Sequence, residues 1–468
     1  MFTKKTKIIA TIGPVSESKE VVIKFIKAGM NIARLNFSHG SQATHLVKIN
    51  MLHSLQKEGY NIAIMLDTKG PEIRSGEFNG GQATFTKGKK VAIYMSPILG
   101  DNTKFSVSFP DLIKDVKAND ILRFDDGKIS FKVLEKDRKE NCLICRTMNN
   151  HTMANRRGCA VPGVKLSMPF MSKQDESDLR FGAKNQVDYI AASFVRKAKD
   201  IQEIRAILKQ EKHEEIQIIA KIECQEGVDN LTEIIKASDG VMVARGDLGV
   251  GLPAEDVPVV QRMIVEACAT QGKPVIVATH MLDSMQHNPS PTRAEVSDVA
   301  NAIYEACDSI MLSGESASGD FPVESVEMEA RIATRIESTL NTHDLIEWAY
   351  SKSSQVHDDA IAYSVASAAF MTGAKLIVAF SMSGSTSRRI SRYRPSCPIL
   401  SLSKDPQVAR SLCLNWGVYG QTIPQTSNME EVAKQQAKAL GYKKNDTILM
   451  TGGNGKGSTN FMKILILD

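Results

Sequence analysis

The sequence predicts an α/β protein: a (β/α)8 barrel, or TIM barrel, with an inserted all-β domain and a separate α/β C-terminal domain. Eight apolar runs alternate with helical patterns, more than a hundred residues of strand patterns separate the third run from the fourth, and a new alternation begins after about residue 345. A chain of 468 residues has room for about three domains of ~150 residues each. We expect the barrel at residues 1–69 and 170–345, the insert at 70–169 and a C-terminal regulatory domain at 346–468.

The eight runs predict the strands of the barrel. They are short, rich in Ile and Val and mostly continuous, which is typical of strands covered on both faces. The segments between them carry helical patterns, such as KEVVIKFIKAGM at 19–30 and a capping box from Thr292 to Glu295 after Pro291. The strands are expected at residues 6–13, 31–37, 61–68, 187–194, 216–223, 240–247, 274–281 and 309–315.

The insert follows the third strand, so it lies at the C-terminal mouth of the barrel, where a lid would be placed. It predicts strands without helices, separated by Gly, Asn and Asp turns: VAIYM, FSVSF, DILRFDD, KISFKVLEK and CLICRTM.

The region after residue 345 predicts a separate domain of helices and strands. IAYSVASAAFMTGA is typical of a helix, LIVAF of a strand, and SMSGSTSRR of a polar turn that opens another helix. Further strands are expected in CPILSLS, DTILMTGG and MKILILD.

Composition argues against several partners and compartments. The net charge of +5 is small for this length and gives no reason to expect nucleic acid or a membrane as partner. No stretch approaches ~18 consecutive apolar residues, and the first residues lack the apolar core of a signal peptide. The one CxxC, Cys142 to Cys145, is expected on a strand with its sulfurs on opposite faces, which disfavours a metal pair. We therefore expect reduced thiols and a cytoplasmic protein.

Polar residues follow the predicted strands where each strand ends. Because the C-terminal ends of barrel strands converge on one face, these residues predict an active site there. They are Arg34, Asn36, Ser38, Asp67, Thr68, Lys69, Lys221, Glu223, Asp247, Thr279 and Glu315.

Three of these residues predict a metal-assisted reaction. Glu223 and Asp247 come from adjacent strands and can share one divalent cation, which suits Mg2+ that keeps water and substrate in its shell. Lys221 shares a face with Glu223, where its ammonium would stabilise an enolate or a transferring phosphoryl group. Gly246 and Gly249 leave backbone N–H groups open to a small carboxylate or phosphate. Neutral oxygens and one carboxylate offer a plausible site for a monovalent cation, at Asn36, Ser38, Asp67 and Thr68.

The chain resembles the pyruvate kinase family nearly from end to end. The motifs that carry the resemblance occur in the family's order: TKIIATIGPVS, MNIARLNFSHG, MLDTKGPEIR, AKIECQEG, VMVARGDLGV, ATHMLDSM, PTRAE with DVANAI, and MLSGESA. The resemblance implies a β-barrel lid, Mg2+ and K+ as cofactors, and phosphoryl transfer from phosphoenolpyruvate to ADP, which gives pyruvate and ATP in the last step of glycolysis. It also implies a homotetramer.

The resemblance further implies a role for individual residues. Glu223 and Asp247 hold magnesium, and Lys221 stabilises the phosphoryl transition state and the enolate. Backbone at Gly246 and Asp247 seats the substrate carboxylate with Thr279, which lies near the path of enolate protonation. The remaining assignments are Arg34 to the transferring phosphate, Arg74, Arg157, Asn36 and His39 to the nucleotide, Asn36, Ser38, Asp67 and Thr68 to potassium, and Glu72 to potassium dependence.

Four positions depart from the family's usual pattern. Cys224 stands where Asn is common, His280 where Gln is usual, Arg157 in place of Lys and Ala160 in place of Asn. Arg157 keeps the charge but changes its geometry. His280 could make activity sensitive to pH near 6–7, or could pack at the barrel rim.

The C-terminal domain contains a candidate effector site. Residues 381–387, SMSGSTS, follow a strand and open a helix, where hydroxyls and N–H groups could hold a phosphate. The resemblance implies a sugar-phosphate effector here, and a solvated serine turn is the alternative. The candidate residues are Ser381, Ser383, Gly384, Ser385, Thr386 and Lys456.

Two other functions remain open at this point. A magnesium-dependent lyase or aldolase acting on an oxo-acid would share the Glu223, Asp247 and Lys221 mouth but would need no ADP and no lid. A sugar-phosphate-sensing scaffold with an inactive barrel would be expected to lose those three residues, which the chain retains.

Overall fold

The computed structural model describes residues 2, 4–353, 357–424, 426, 428–453 and 459–468. The chain begins with three parallel strands that are buried on both faces, as their apolar runs predict. These are β1 (Lys7–Thr11), β2 (Met30–Asn36) and β3 (Ala63–Asp67), with helices α1 (Lys19–Ala28) and α2 (Gln42–Lys57) between them. A capping box at Ser41 begins α2.

The insert forms its own β-barrel. Its strands are β4 (Ile73–Arg74), β5 (Gln82–Phe85), β6 (Lys90–Tyr94), β7 (Lys104–Ser106), β8 (Ile121–Phe124), β9 (Ile129–Asp137), β10 (Cys142–Thr147), β11 (His151–Ala154) and β12 (Gly158–Ala160). Seven of them form a sheet in the order β4-β12-β8-β9-β10-β6-β7. A bridge between Ser75 and Val107 joins its two edges, with Ser108 N donating to Arg74 O at 2.9 Å, so the sheet closes around a separate core.

The prediction that the insert lacks helices was wrong. It contains α3 (Leu112–Asp115) and a 3-10 turn, Asn79–Gly81. A single helical turn is too short to show a 3.6-residue period in the sequence.

The chain then returns to complete the barrel with β13 (Tyr189–Ala192), β14 (Gln217–Ile222), β15 (Gly240–Ala244), β16 (Val275–Ala278) and β17 (Ser309–Leu312). The eight strands close in the order β1-β17-β16-β15-β14-β13-β3-β2, and every pair is parallel. Helices surround them: α4 (Lys173–Lys184), α5 (Ala198–Gln210), α6 (Gln225–Asp229), α7 (Leu231–Ala237), α8 (Arg245–Gly251), α9 (Asp256–Gln271), α10 (Arg293–Tyr304), α11 (Gly314–Ala317), α12 (Pro322–Glu337) and a 3-10 turn, Asp283–Gln286.

The start of α10 matches the sequence-based expectation, whereas the end of β15 differs from it. The capping box from Thr292 to Glu295 begins α10, as the sequence predicts. Strand β15 ends at Ala244 rather than at residue 247, because the chain turns there into α8. Asp247 therefore lies in the first turn of a short helix above the strand.

The C-terminal part is a second α/β unit. Its helices are α13 (Thr342–Ser351), α14 (His357–Thr372), α15 (Ser385–Arg392), α16 (Pro406–Arg410) and α17 (Met429–Ala439). Its sheet has the order β20 (Val418–Thr422), β19 (Ile399–Ser403), β18 (Leu376–Phe380), β21 (Thr447–Gly452) and β22 (Phe461–Ile466). Strand β20 escaped prediction because its VYGQT sequence has little apolar character and it lies at the edge. Helix α13 adds Ile346 and Ala349 to the core of this unit.

This unit covers the end of the barrel opposite the predicted site. Cys413 and Leu414 close the barrel interior, and Ser309 at the start of β17 donates to Leu414 O at 3.0 Å. Two buried ion pairs, Asp308–Arg394 at 2.8 Å and Asp188–Arg410 at 2.7 Å, join the barrel to the same unit. Within the described residues, the helices are too short or too polar for any of them to cross a bilayer.

Candidate active site

A buried cluster of opposite charges lies at the mouth of the barrel. Arg34 at the end of β2 donates from Nε to Asp67 Oδ2 at 2.6 Å and from Nη1 to Thr11 Oγ1 at 2.9 Å. Lys221 on β14 donates to Asp67 Oδ1 at 3.0 Å and to Ser193 Oγ at 2.6 Å. Asp67 thus lies between two cations, and all four polar side chains around it are buried.

The opposite charges in this cluster stabilise the charged forms of Asp67 and Lys221. Burial alone would raise the pKa of Asp67, but the charges of Arg34 and Lys221 outweigh it and hold that pKa below its ordinary value. Burial would lower the pKa of Lys221, yet Asp67 and Glu223 raise it above its ordinary value. Both groups are therefore charged at neutral pH, and Lys221 is a fixed ammonium.

The two carboxylate oxygens of Glu223 have different partners. Its Oε1 lies 3.0 Å from Lys221 Nζ, and its Oε2 accepts a hydrogen bond from Phe194 N at 2.6 Å. Burial, opposed by Lys221 and reinforced by the carboxylates of Asp247 and Asp67, raises the pKa of Glu223 to about 7. Burial is thus the largest influence on this carboxyl group, and the neighbouring carboxylates add to it.

Asp247 lies across from Glu223 on the adjacent barrel unit. Its carboxylate is exposed to the cavity that Glu223 also lines, and no described residue donates a hydrogen bond to it. Partial burial raises the pKa of Asp247, and Glu72 and Asp126 add to this while Lys221 opposes it. A carboxylate without a protein partner beside Glu223 is chemically suited to a divalent cation.

Thr279 is held against the start of α8. Gly246 N donates to Thr279 Oγ1 at 2.7 Å, and that hydroxyl donates to Ala278 O at 2.5 Å. A Cβ at Gly246 would lie 3.6 Å from Thr279 Oγ1, so the two residues are in contact. The exposed His280 follows at the rim, and its ring makes no hydrogen bond to a described residue.

The four predicted potassium ligands lie at or just after the ends of β2 and β3. Asn36 pairs with Asp67 in the register of the two strands. Asn36 Oδ1 accepts from Ser38 N at 3.1 Å, and Thr68 O accepts from Ser193 Oγ at 2.6 Å.

A cavity of about 390 Å3 separates the barrel mouth from the lid. His39, Arg74 and Arg157 line it, and so do two of the departures, Ala160 and Cys224. Asn36, Lys221, Arg34 and Thr279 do not line it, and of these Lys221 and Arg34 are buried.

Arg74 and Arg157 are each oriented by a carboxylate. Arg74 donates from Nε and Nη2 to Glu72 Oε2 at 2.9 and 2.6 Å. Arg157 is half exposed, with its Nε 3.5 Å from Asp125 Oδ1, and His151 Nε2 lies 2.7 Å from the other oxygen of Asp125. The arginine at this position thus has a partner that holds it beside the cavity.

Glu315 is not part of the site, although the sequence placed it among the converging residues. It is fully buried, and its two oxygens accept hydrogen bonds from Leu282 N at 3.1 Å and Ser313 N at 2.8 Å. It therefore holds two loops of the barrel together.

Sequence reasoning missed three residues that shape the site. Ser193 links Asp67, Thr68 and Lys221, and the strand-end rule applied to the fourth strand would have found it. Thr11 supports Arg34. Arg123 of the lid donates to Val250 O at 2.7 Å at the end of α8, a contact that no local pattern indicates.

The candidate effector residues surround the start of α15. Ser383 Oγ donates to Ser385 Oγ at 3.2 Å, and Gly384 has a φ of 79°, which favours glycine. Ser381 is buried, and the buried Thr386 hydroxyl is 2.7 Å from Thr459 Oγ1. Lys456 lies outside the described residues.

Comparisons with known proteins agree with this geometry. The family of the pyruvate kinase barrel domain matches residues 3–326, and that of the pyruvate kinase alpha/beta domain matches residues 359–465. The chain is 44% identical to the pyruvate kinase of Geobacillus stearothermophilus, over 99% of this chain and 81% of that protein. It is 42% identical to the pyruvate kinase of Clostridium acetobutylicum, over 99% of this chain and 100% of that protein. The crystal structure of a pyruvate kinase from Cryptosporidium parvum has a TM-score of 0.93 and 36% identity, over 100% of this chain and 97% of that one.

The lidded barrel and its charged mouth define a phosphotransferase. The chain belongs to the pyruvate kinase family, which implies phosphoenolpyruvate and ADP as its substrates.

Proposed function

We propose that this enzyme requires Mg2+ and K+ to transfer the phosphoryl group of phosphoenolpyruvate to ADP in the last step of glycolysis. The observation that carries the proposal is the convergence of Lys221, Glu223, Asp67 and Arg34, with Asp247 lining the same cavity as Glu223.

The donors at the mouth fit magnesium. Within the described residues, no group of three or more His, Cys, Asp or Glu side chains forms a metal site. Glu223 and Asp247 would thus supply two carboxylate ligands and leave the other positions to water and substrate, which is how Mg2+ usually binds. Bound magnesium would neutralise charge on the phosphoryl oxygens.

The side chains would act on the two ends of the substrate. As the bond from phosphorus to the enol oxygen breaks, a bond forms from phosphorus to an ADP β-phosphate oxygen, and the electron pair stays on the enolate. Arg34 would contact the transferring group, and Lys221 would stabilise charge on that group and on the enolate oxygen. Backbone at Gly246 and Asp247 would hold the carboxylate beside Thr279 while the methylene carbon gains a proton to give pyruvate.

Other cavity residues would serve the nucleotide and the monovalent ion. Potassium would bind at Asn36, Ser38, Asp67 and Thr68, and Glu72, beside Arg74, fits a potassium-dependent member. The positions of Arg74, Arg157 and His39 around the cavity support nucleotide contacts from the lid side, with Asn36 nearby at the end of β2.

Regulation and assembly complete the proposal. The three parts of the chain would act as catalytic barrel (1–69 and 170–345), lid (70–169) and regulatory domain (346–468). A sugar phosphate would bind at residues 381–386 with Lys456. A homotetramer is expected from membership of the family. The eight cysteines, all free thiols, support a reducing, cytoplasmic location.

Steady-state kinetics test the reaction directly. Pyruvate formation should require phosphoenolpyruvate, ADP, Mg2+ and K+, each varied in turn. Turnover of phosphoenolpyruvate that does not need ADP would favour a lyase, and saturation without K+ would contradict the proposed ion site.

A further inference from the structure

Arg245 uses every nitrogen of its side chain within the barrel. Nη2 donates to Thr279 O at 2.7 Å and Nε to Ala278 O at 3.3 Å, so one contact goes to the last residue of β16 and one to the loop that follows it. Nη1 donates to Asp298 Oδ1 on α10 at 2.7 Å. The same nitrogen lies 3.4 Å from Gln261 Oε1 on α9, and the side chain is only 11% exposed.

The backbone that Arg245 holds is strained. Thr279 and His280 have φ values of 71° and 54°, so two consecutive residues with side chains adopt the left-handed conformation. Such a residue typically costs about 1–2 kcal/mol, and it persists only where the surrounding structure fixes it. The Arg245 side chain donates a hydrogen bond to the carbonyl of Thr279, and the backbone N–H of Gly246, which follows Arg245 in the chain, donates one to the Thr279 hydroxyl. Both contacts hold Thr279 in place.

We propose that Arg245 is a positioning residue for phosphoryl transfer, which holds the strained Thr279–His280 turn against Gly246 and Asp247. It couples the two segments that would seat the substrate carboxylate. The inference rests on the proposed role of Thr279, and Arg245 itself touches no reacting atom.

The geometry requires an arginine rather than any cation. Three nitrogens point to acceptors on β16, its loop and α10, and a planar fork reaches them together. A lysine at 245 could restore the ion pair with Asp298, but one ammonium could not also reach the carbonyls of both Ala278 and Thr279. A purely structural ion pair would be rescued by Arg245→Lys, whereas a positioning role would not.

A double-mutant cycle tests the coupling. Arg245→Lys and Thr279→Val should each lower kcat by up to about 100-fold, because a misplacement of ~1 Å at a reacting centre can cost that much. If Arg245 acts through Thr279, the double variant should lose little beyond the worse single variant. Binding of Mn2+ alone, measured by electron paramagnetic resonance, should be unchanged in Arg245→Lys. Its melting temperature should fall by only a few degrees, because the ion pair with Asp298 is kept while two carbonyls lose a donor.

Arg262→Met is the matched control. Arg262 lies on α9 and lines a surface groove that Arg245 also lines. Among the described residues its one ion pair is with Glu266, on the same helix, so wild-type kinetics are expected. Wild-type kcat in Arg245→Lys, or losses that multiply in the double variant, would overturn the inference. Normal turnover in Thr279→Val would instead refute the proposed role of Thr279. Arg245→Lys keeps the charge, and a large drop in its melting temperature would assign Arg245 a structural role and also overturn the inference.

Discussion

Lys221→Met perturbs the centre of the site most directly. The variant removes an ammonium that lies 3.0 Å from Asp67 Oδ1, 3.0 Å from Glu223 Oε1 and 2.6 Å from Ser193 Oγ. Methionine fills a similar volume, so the barrel mouth should keep its packing while it loses a positive charge.

Two magnitudes follow from this geometry. A preorganised donor of this kind contributes about 2.7–4 kcal/mol to the transition state, so kcat should fall by about 10²–10³-fold or more. Removing one partner from a buried pair costs up to ~3–5 kcal/mol of stability when the other charge stays ionised. Proton uptake by Glu223, whose pKa is already about 7, limits that cost.

The assay couples pyruvate formation to NADH oxidation at saturating phosphoenolpyruvate, ADP, Mg2+ and K+. Circular dichroism and Mn2+ binding establish that the variant folds and keeps its metal site. Lys199→Met is the control, since Lys199 is exposed on α5 and its side chain contacts no charged group in the described structure. A folded, metal-binding Lys221→Met enzyme with near-normal kcat would refute the role given to this ammonium.

Two further predictions concern the C-terminal unit and its contact with the barrel. Burial, reinforced by Lys4, lowers the pKa of Lys7 from 10.5 to about 7 where its ammonium contacts Val418 O and the Tyr419 ring. Between pH 7 and 10.5 the unfolded chain retains a proton that the folded chain has lost, so this group makes unfolding free energy rise with pH, by at most ~1.4 kcal/mol per unit. Lys7→Met should flatten the profile of melting temperature over that range relative to wild type, and parallel profiles would contradict the assignment. Ser383→Glu should abolish activation in a titration with fructose 1,6-bisphosphate and sugar monophosphates, because its carboxylate would repel a phosphate at the start of α15; undiminished activation would place the effector elsewhere.

Most of the barrel can be predicted from the sequence, because the patterns that predict its strands are local. Continuous apolar runs predict strands buried on both faces, and the strand-end rule then brings Lys221, Glu223 and Asp67 to one mouth. The same rule applies to Ser193 at the end of the fourth strand. A serine hydroxyl is common at strand ends without any function, so its presence is a weaker signal than a charged side chain. Glu315 also follows a strand end, yet its carboxylate is buried in the barrel wall, where the N–H groups of Leu282 and Ser313 donate to it. Those donors come from two different loops, so the strand-end rule could not predict this orientation.

Contacts between distant segments could not be predicted from the residues alone. Closure of the insert depends on the pairing of Ser75 with Val107, and the sequence indicated it only through family resemblance. The contact from Arg123 to Val250 depends on how the folded insert sits above α8. The left-handed turn at Thr279 is equally hidden, because a β-branched residue such as threonine rarely adopts a positive φ.

A divalent ion shared by Glu223 and Asp247 within reach of Lys221 is the central element of the proposed mechanism. A crystal structure with Mn2+ and oxalate, read at the manganese absorption edge, tests this most directly. We expect one anomalous peak about 2.0–2.3 Å from a carboxylate oxygen of each residue, close to Mg2+ bonding distances, with the Lys221 amine facing the bound oxalate. A peak on only one carboxylate, or a Lys221 amine turned away from the oxalate, would contradict it.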